Sequence, residues 1–211
     1  MQEDHIILGL ASVIENRDIS TGEHIARTGH YVKTLAEDAR ADGVYTDILT
    51  DHYRTLLCTL APMHDIGKIL VSDQILKKPG RLTSSEFEEM KRHSSEGGEV
   101  VEQILSGITD EEYRQFAVDI VVNHHEKWDG TGYPHGLKGE EILLSARIMA
   151  NADVFDALIS ERCYKKAIPV EDAIEIIREE SGTHFDPALV DIFLRHKEEF
   201  ETTPPETIAT C

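Results

Sequence analysis

Two adjacent pairs of metal-ligating side chains, His64-Asp65 and His124-His125, each follow an apolar run: Leu60-Ala61-Pro62-Met63 before the first, Ile120-Val121-Val122 before the second. An unpaired carboxylate is costly to bury beside such a run, and a cation removes that cost. Three further residues of the same chemical type stand at or inside helix-like segments: His24, His93 and Asp153. Imidazole nitrogens and carboxylate oxygens without thiolates suit iron, manganese, zinc or nickel, and disfavour a structural zinc site. A lone imidazole on a helix is ordinarily a surface or hydrogen-bonded residue. His5, His30, His52, His135, His184 and His196 have no such company and are read as structural.

These residues need helices to position them, and the periodicity is helical almost throughout. Ile25, Thr28, Tyr31, Val32, Leu35 and Ala39 draw one apolar stripe from Glu23 to about Arg40. Asp51 to about His64 repeats the pattern, with Gly67 closing it. Thr83-x-x-Glu86 and Thr109-x-x-Glu112 read as capping boxes, the second opening a helix that ends at His124. Ser145 starts a helix that carries Asp153. Pro169 and Pro187 take first-turn positions, the latter after an Asp186 cap, with helices running to about Ser181 and Phe200. Two segments resist a helical reading: Ile69 to Leu82, and Lys127 to Gly139 with its Asp-Gly-Thr-Gly-Tyr-Pro-His-Gly run, an ordered loop. The expected fold is a single all-α bundle of seven to nine helices over residues 1–201, with 202–211 as a frayed tail.

In this order the residues resemble the HD-GYP subgroup of the HD-domain phosphohydrolases, over about Ile14 to Val190. The resemblance is carried by Thr21-Gly22-Glu23-His24 with Arg27, by His64-Asp65-Ile66-Gly67-Lys68-Ile69, and by Ile75-Leu76-Lys77-Lys78-Pro79-Gly80-Arg81-Leu82-Thr83. Met90-Lys91-Arg92-His93, His124-His125-Glu126-Lys127-Trp128-Asp129-Gly130-Thr131-Gly132-Tyr133-Pro134 and Arg147 follow. Ala152-Asp153-Val154-Phe155-Asp156-Ala157-Leu158, Arg162-Cys163-Tyr164-Lys165 and Phe185-Asp186-Pro187 complete it. A bare His-Asp pair is a weak signal, whereas the stretch through Gly132-Tyr133-Pro134 is specific.

The resemblance implies a metal-dependent cyclic di-GMP phosphodiesterase with two divalent transition-metal ions, iron or manganese, replaceable by zinc or nickel on purification. His24, His64, Asp65 and Asp153 would hold one ion, and Asp65 would bridge to a second held by His93, His124 and His125. Such a pair activates a bridging hydroxide for attack on phosphorus. Asp65 and Lys68 carry the catalytic expectation, and Lys68, Tyr133, Arg162 and Lys165 the substrate contacts, with the Gly-Tyr-Pro loop beside the metals. On spacing alone Lys68 reads rather as an ordinary lysine at a helix end, and Arg162 and Lys165 rather as a solvated basic face. Glu126, Asp129, Arg147 and Asp156 are expected to orient ligands or fix the loop, and Trp128 to pack it. Where some HD-GYP proteins carry a third-metal Glu, Ser20 stands here, so two ions are expected.

Composition narrows the partners. With 40 acidic against 21 basic residues and a formal charge of -19, a polymeric nucleic acid is excluded, because phosphate-backbone binding relies on Lys and Arg. The sequence contains no apolar run of membrane-spanning length, so no membrane partner and a cytoplasmic location are expected. Cys58, Cys163 and Cys211 form no Cys-x-x-Cys pair and are read as free thiols. The substrate expected is a cyclic dinucleotide, with a homodimer, an upstream receiver domain or a regulatory protein as further partners. Two other readings stay open: an HD phosphohydrolase for a different nucleotide, and a catalytically silent cyclic di-GMP receptor.

Overall fold

A computed structural model describes residues 2–17, 23–161 and 166–201. Among these, eleven α-helices follow one another: α1 (Gln2–Glu15), α2 (Glu23–Ala41), α3 (Asp51–Leu60), α4 (Asp73–Leu76), α5 (Ser84–Ser95), α6 (Gly97–Ile104), α7 (Glu111–Asn123), α8 (Leu144–Ile159), α9 (Val170–Glu179), α10 (Pro187–Arg195) and α11 (Lys197–Glu201). Three 3₁₀ turns intervene, at Ala61–Met63, Ile66–Leu70 and Gly139–Glu141. No strand occurs among the described residues, only an isolated bridge between Ser181 and Phe185. The all-α expectation holds. The helix number exceeds seven to nine because α4 and α11 are too short to leave a periodic signal, and because His196 breaks the last helix in two.

The expected stripe on α2 is buried, from Ile25 through Tyr31, Val32 and Leu35 to Ala39. It packs on α8, which is buried on nearly every side: Ile148, Met149, Ala152 and Phe155 all lie in the core. Tyr31, Phe155, Phe193 and Phe200 join α2, α8, α10 and α11 through ring contacts of 4.6 to 6.2 Å. Helix α7 bridges α3, α6 and α8.

Several local expectations are corrected. The Thr83 and Glu86 box forms in both directions, but the cap of α7 is Asp110, whose carboxylate accepts from Tyr113 N at 3.1 Å. A charged oxygen one residue closer displaces Thr109. Helix α8 begins at Leu144 with Leu143 as an uncapped N-cap, one residue before Ser145. Pro169 is itself the N-cap of α9, while Pro187 takes the first turn of α10 after Asp186 as expected. Gly67 does not end a helix but lies in the turn Ile66–Leu70, packed on α5 and α6. A Cβ there would stand 1.9 Å from the His93 carbonyl oxygen and 2.7 Å from Gly97 Cα. Only hydrogen fits, and the close approach draws Asp65 toward His93. Cys58 is disulfide-bonded, which corrects the free-thiol reading at that position.

Candidate metal centre

All seven expected ligands converge. His24 comes from α2, His64 and Asp65 from the junction between the two 3₁₀ turns after α3, His93 from α5, His124 and His125 from the end of α7, and Asp153 from α8. One group gathers Asp65, His93, His124 and His125, the other His24, His64 and Asp153, with ligand atoms within 4.8 Å of one another in each. Asp65 lies between the two: Oδ2 is 3.3 Å from His64 Nε2, and Oδ1 is 3.5 Å from His93 Nε2 and 3.9 Å from His124 Nε2.

Hydrogen bonds on the outer side of the rings fix which nitrogen faces inward. His64 Nδ1 donates to Ala61 O at 3.0 Å, His93 Nδ1 to Met90 O at 2.6 Å, and His124 Nδ1 to Val121 O at 2.9 Å. His24 Nδ1 donates to Asp156 Oδ2 at 2.7 Å. In the neutral rings each Nε2 therefore carries a lone pair. The Nε2 atoms of His24 and His64 face each other at 3.4 Å, with Asp153 Oδ1 at 3.6 Å from His24 Nε2. At that separation the two imidazole lone pairs repel, and a positive charge between them resolves this. His124 Nε2 is likewise buried and makes no hydrogen bond. The donor set, the inward lone pairs and the orphaned nitrogen fit divalent cations.

The electrostatics favour the neutral ring at His93, His124 and His125, and His64 is the exception. Burial pushes the His124 imidazolium down to about 3, helped by His64 and His93. Burial likewise holds His93 below, and His125 well below, the usual imidazole value. Burial opposes the charge on His64 as well, but Asp65 and Asp153 outweigh it and raise its pKa. Burial would raise Asp65, yet Lys68 and His64 hold it well below the usual carboxylate range. Asp156 is lowered to about 2 because hydrogen bonds from His24 and Arg27 overcome its burial.

Lys68 reaches Asp65 Oδ2 at 2.7 Å, and Tyr133 lies over the His125 ring with centroids 4.8 Å apart. Both line a cavity of about 460 Å³ that opens on Asp65, His93, His125 and Asp153. The Gly-Tyr-Pro loop is thus beside the ligands. Glu126 fixes it, accepting from the backbone N–H groups of His135, Gly136 and Leu137 at 2.6, 3.1 and 3.0 Å. Asp129 accepts from Thr131. Arg147 does not touch the ligands: it pairs with Asp186 at 2.6 Å and lies 5.7 Å from the Trp128 ring, packing the loop's base. Arg162 and Lys165 lie outside the described residues, as does Ser20; helix α8 ends at Ile159, short of both basic residues.

Sequence reasoning gave Arg27 no task, although it lies three residues after His24; it brackets Asp156 with Nε at 2.5 Å and Nη2 at 3.2 Å. Nor did it find the cavity's far wall, formed in part by Leu82, Phe87 and Met90. His196, read as structural, joins Asp38 and Glu199 in a third group of potential ligands at the junction of α2 and α11.

The family model described as HD domain matches residues 18–189. A Vibrio cholerae protein named cyclic di-GMP phosphodiesterase is 48% identical over 197 residues, covering 93% of this chain and 40% of that protein. Another, named 3'3'-cGAMP-specific phosphodiesterase 2, is 37% identical over 195 residues, 92% of this chain and 35% of that protein. A solved cyclic GMP-AMP specific phosphodiesterase of V. cholerae superposes with a TM-score of 0.63 at 19% identity, over 95% of this chain and 51% of that one, and shows the shared fold. The chain spans less than half the length of these two curated relatives.

Proposed function

This chain belongs to the HD domain family, and on that premise we propose that it is a metal-dependent phosphodiesterase that hydrolyses cyclic di-GMP to pGpG, GMP or both. The observation that carries the reading is the convergence of His24 Nε2, His64 Nε2 and Asp153 Oδ1 on one point, with Asp65 joining them to His93, His124 and His125. His24, His64, Asp65 and Asp153 would hold one cation, and Asp65, His93, His124 and His125 the other. Iron or manganese suits these nitrogen and oxygen donors. The chemistry such ions would supply is a lowered pKa for water at the site and neutralisation of charge on phosphoryl oxygens.

The chain's own groups supply the rest. Asp65 offers one carboxylate oxygen to each side, and its depressed pKa keeps it ionised at neutral pH. The Lys68 ammonium at 2.7 Å is placed to pass from that carboxylate to a phosphate oxygen and to stabilise charge developing there. Tyr133 closes the cavity over His125 and would position the substrate; Arg162 and Lys165 keep their assignment as substrate contacts. In a chain this acidic, local cations do the anion binding. Among the described residues no helix is long and apolar enough to cross a membrane, in keeping with a cytoplasmic substrate. A second copy, a receiver domain or another regulator belongs to the same proposal.

The test is turnover of cyclic di-GMP, mixed cyclic GMP-AMP and cyclic di-AMP by anaerobically purified protein loaded with iron(II) or manganese(II). Hydrolysis of cyclic di-GMP, abolished in Asp65→Ala, is the expected result. Preference for the mixed dinucleotide would move the substrate toward the 37% identical relative. Tight binding without turnover under either metal would favour a silent receptor.

A further inference from the structure

The cavity above the ligands has a second half that the metal chemistry does not use. Its far wall is apolar, and at its rim Phe87 on α5 is 44% exposed. The Phe87 ring meets Tyr133 edge to face, with centroids 6.2 Å apart and planes at 83°. The Lys91 ammonium, also paired with Glu88, sits 5.0 Å from the Phe87 ring and 5.5 Å from the Tyr133 ring, tying the two together. Arg81 lines the same cavity, is exposed, and pairs with no carboxylate among the described residues. Lys78 beside it is already held by Glu86 at 2.6 Å. A partly exposed aromatic ring, already overlain by Lys91, shares a cavity with a guanidinium that has no carboxylate partner among the described residues; continuous with a phosphate-directed centre, the pair matches a base followed by a phosphate.

We propose that Phe87 and Arg81 form the seat for the nucleotide that is not being cleaved, with Phe87 stacking on its base and Arg81 holding its phosphate. This rests on the cyclic dinucleotide reading above. A cyclic dinucleotide presents two phosphates in one ring, so when one lies over Asp65 the other must be received elsewhere in the same cavity. Neither residue touches the candidate ligands in any recorded contact, so both are substrate-positioning groups acting on binding.

The test is steady-state kinetics of the manganese-loaded chain with cyclic di-GMP. Phe87→Ala should raise KM about tenfold, the scale of a lost base–aromatic stack, with kcat within about twofold, and Phe87→Trp should restore KM. Arg81→Gln should raise KM similarly, with Arg81→Lys in between. Metal content should match the parent in all four variants. An unchanged KM in Phe87→Ala and Arg81→Gln, with the parent turning over cyclic di-GMP, would overturn the seat and leave the function standing. A fall in kcat with KM unchanged, not rescued by Trp, would also overturn it, marking Phe87 as a support of the fold. If the parent hydrolyses no cyclic dinucleotide, the function itself fails and the seat falls with it.

Discussion

At the scale of the residue, the centre depends on aiming imidazoles as much as on owning them. His24 is the clearest case, because its outer nitrogen is held by a buried carboxylate rather than a backbone carbonyl. Asp156 can do this because hydrogen bonds from His24 itself and from Arg27 keep it ionised, with a pKa of about 2 despite burial. Asp156→Asn keeps the shape but gives up the charge that favours the inward lone pair. Loss of such a supporting group lowers metal affinity about 10- to 100-fold. Titration with manganese(II) should show that loss on one of two sites, with the other unchanged. Four of the candidate ligands were legible because His64-Asp65 and His124-His125 are adjacent and follow apolar runs, whereas His24, His93 and Asp153 took that role only from the family resemblance. Arg27 was not: a helical arginine's partner 129 residues away leaves no local trace.

At the scale of the element, one side chain anchors the turn at residues 135–137 of the loop after α7. Glu126 is almost fully buried and satisfies three backbone N–H groups. Glu126→Ala would leave those donors unpaired, at a cost of about 3 kcal/mol. Urea unfolding should report the loss, and KM should rise as Tyr133 shifts. Gly and Pro density marked this loop in the sequence, but not its anchor. Gly132 shows why the spacing is tight: a Cβ there would lie 2.3 Å from Lys127 N.

The junction of α2 with α10 and α11 carries a second element-scale prediction. Burial raises the pKa of Asp38, and Glu199 and Asp42 push the same way against His196. Its Oδ2 makes no hydrogen bond. The native state therefore binds its proton more tightly than the unfolded chain, whose value is near 3.8, and stability falls as pH rises from there through the folded pKa. Asp38→Asn should raise Tm at pH 7, and the gap should narrow as pH falls toward 3.8. A gap independent of pH would show that packing, rather than charge, decides the junction.

At the scale of the molecule, ligands from five separate segments of chain meet at one centre, so metal binding also ties the bundle together. Each ion that binds only the native state, at about one hundred times its Kd, adds about 2.7 kcal/mol, so two add about 5.4 kcal/mol. For a chain of this length that is about 10 to 20 °C in Tm. Manganese(II) should produce that rise in a thermal melt, and a chelator should abolish it. Fold class was readable because three-four periodicity survives along most of the chain; α4 and α11, of four and five residues, fall below the length at which it can be seen. Capping was readable at Thr83, where Glu86 completes a reciprocal box, and at Asp186 before Pro187, and misplaced where Thr109 and Asp110 competed.

The most direct test is anomalous diffraction from crystals of the manganese-loaded protein. Two peaks about 3.5 to 4 Å apart, one on each side of Asp65, are the expected result. A single peak, or ions confined to the group of Asp38, His196 and Glu199, would contradict the account.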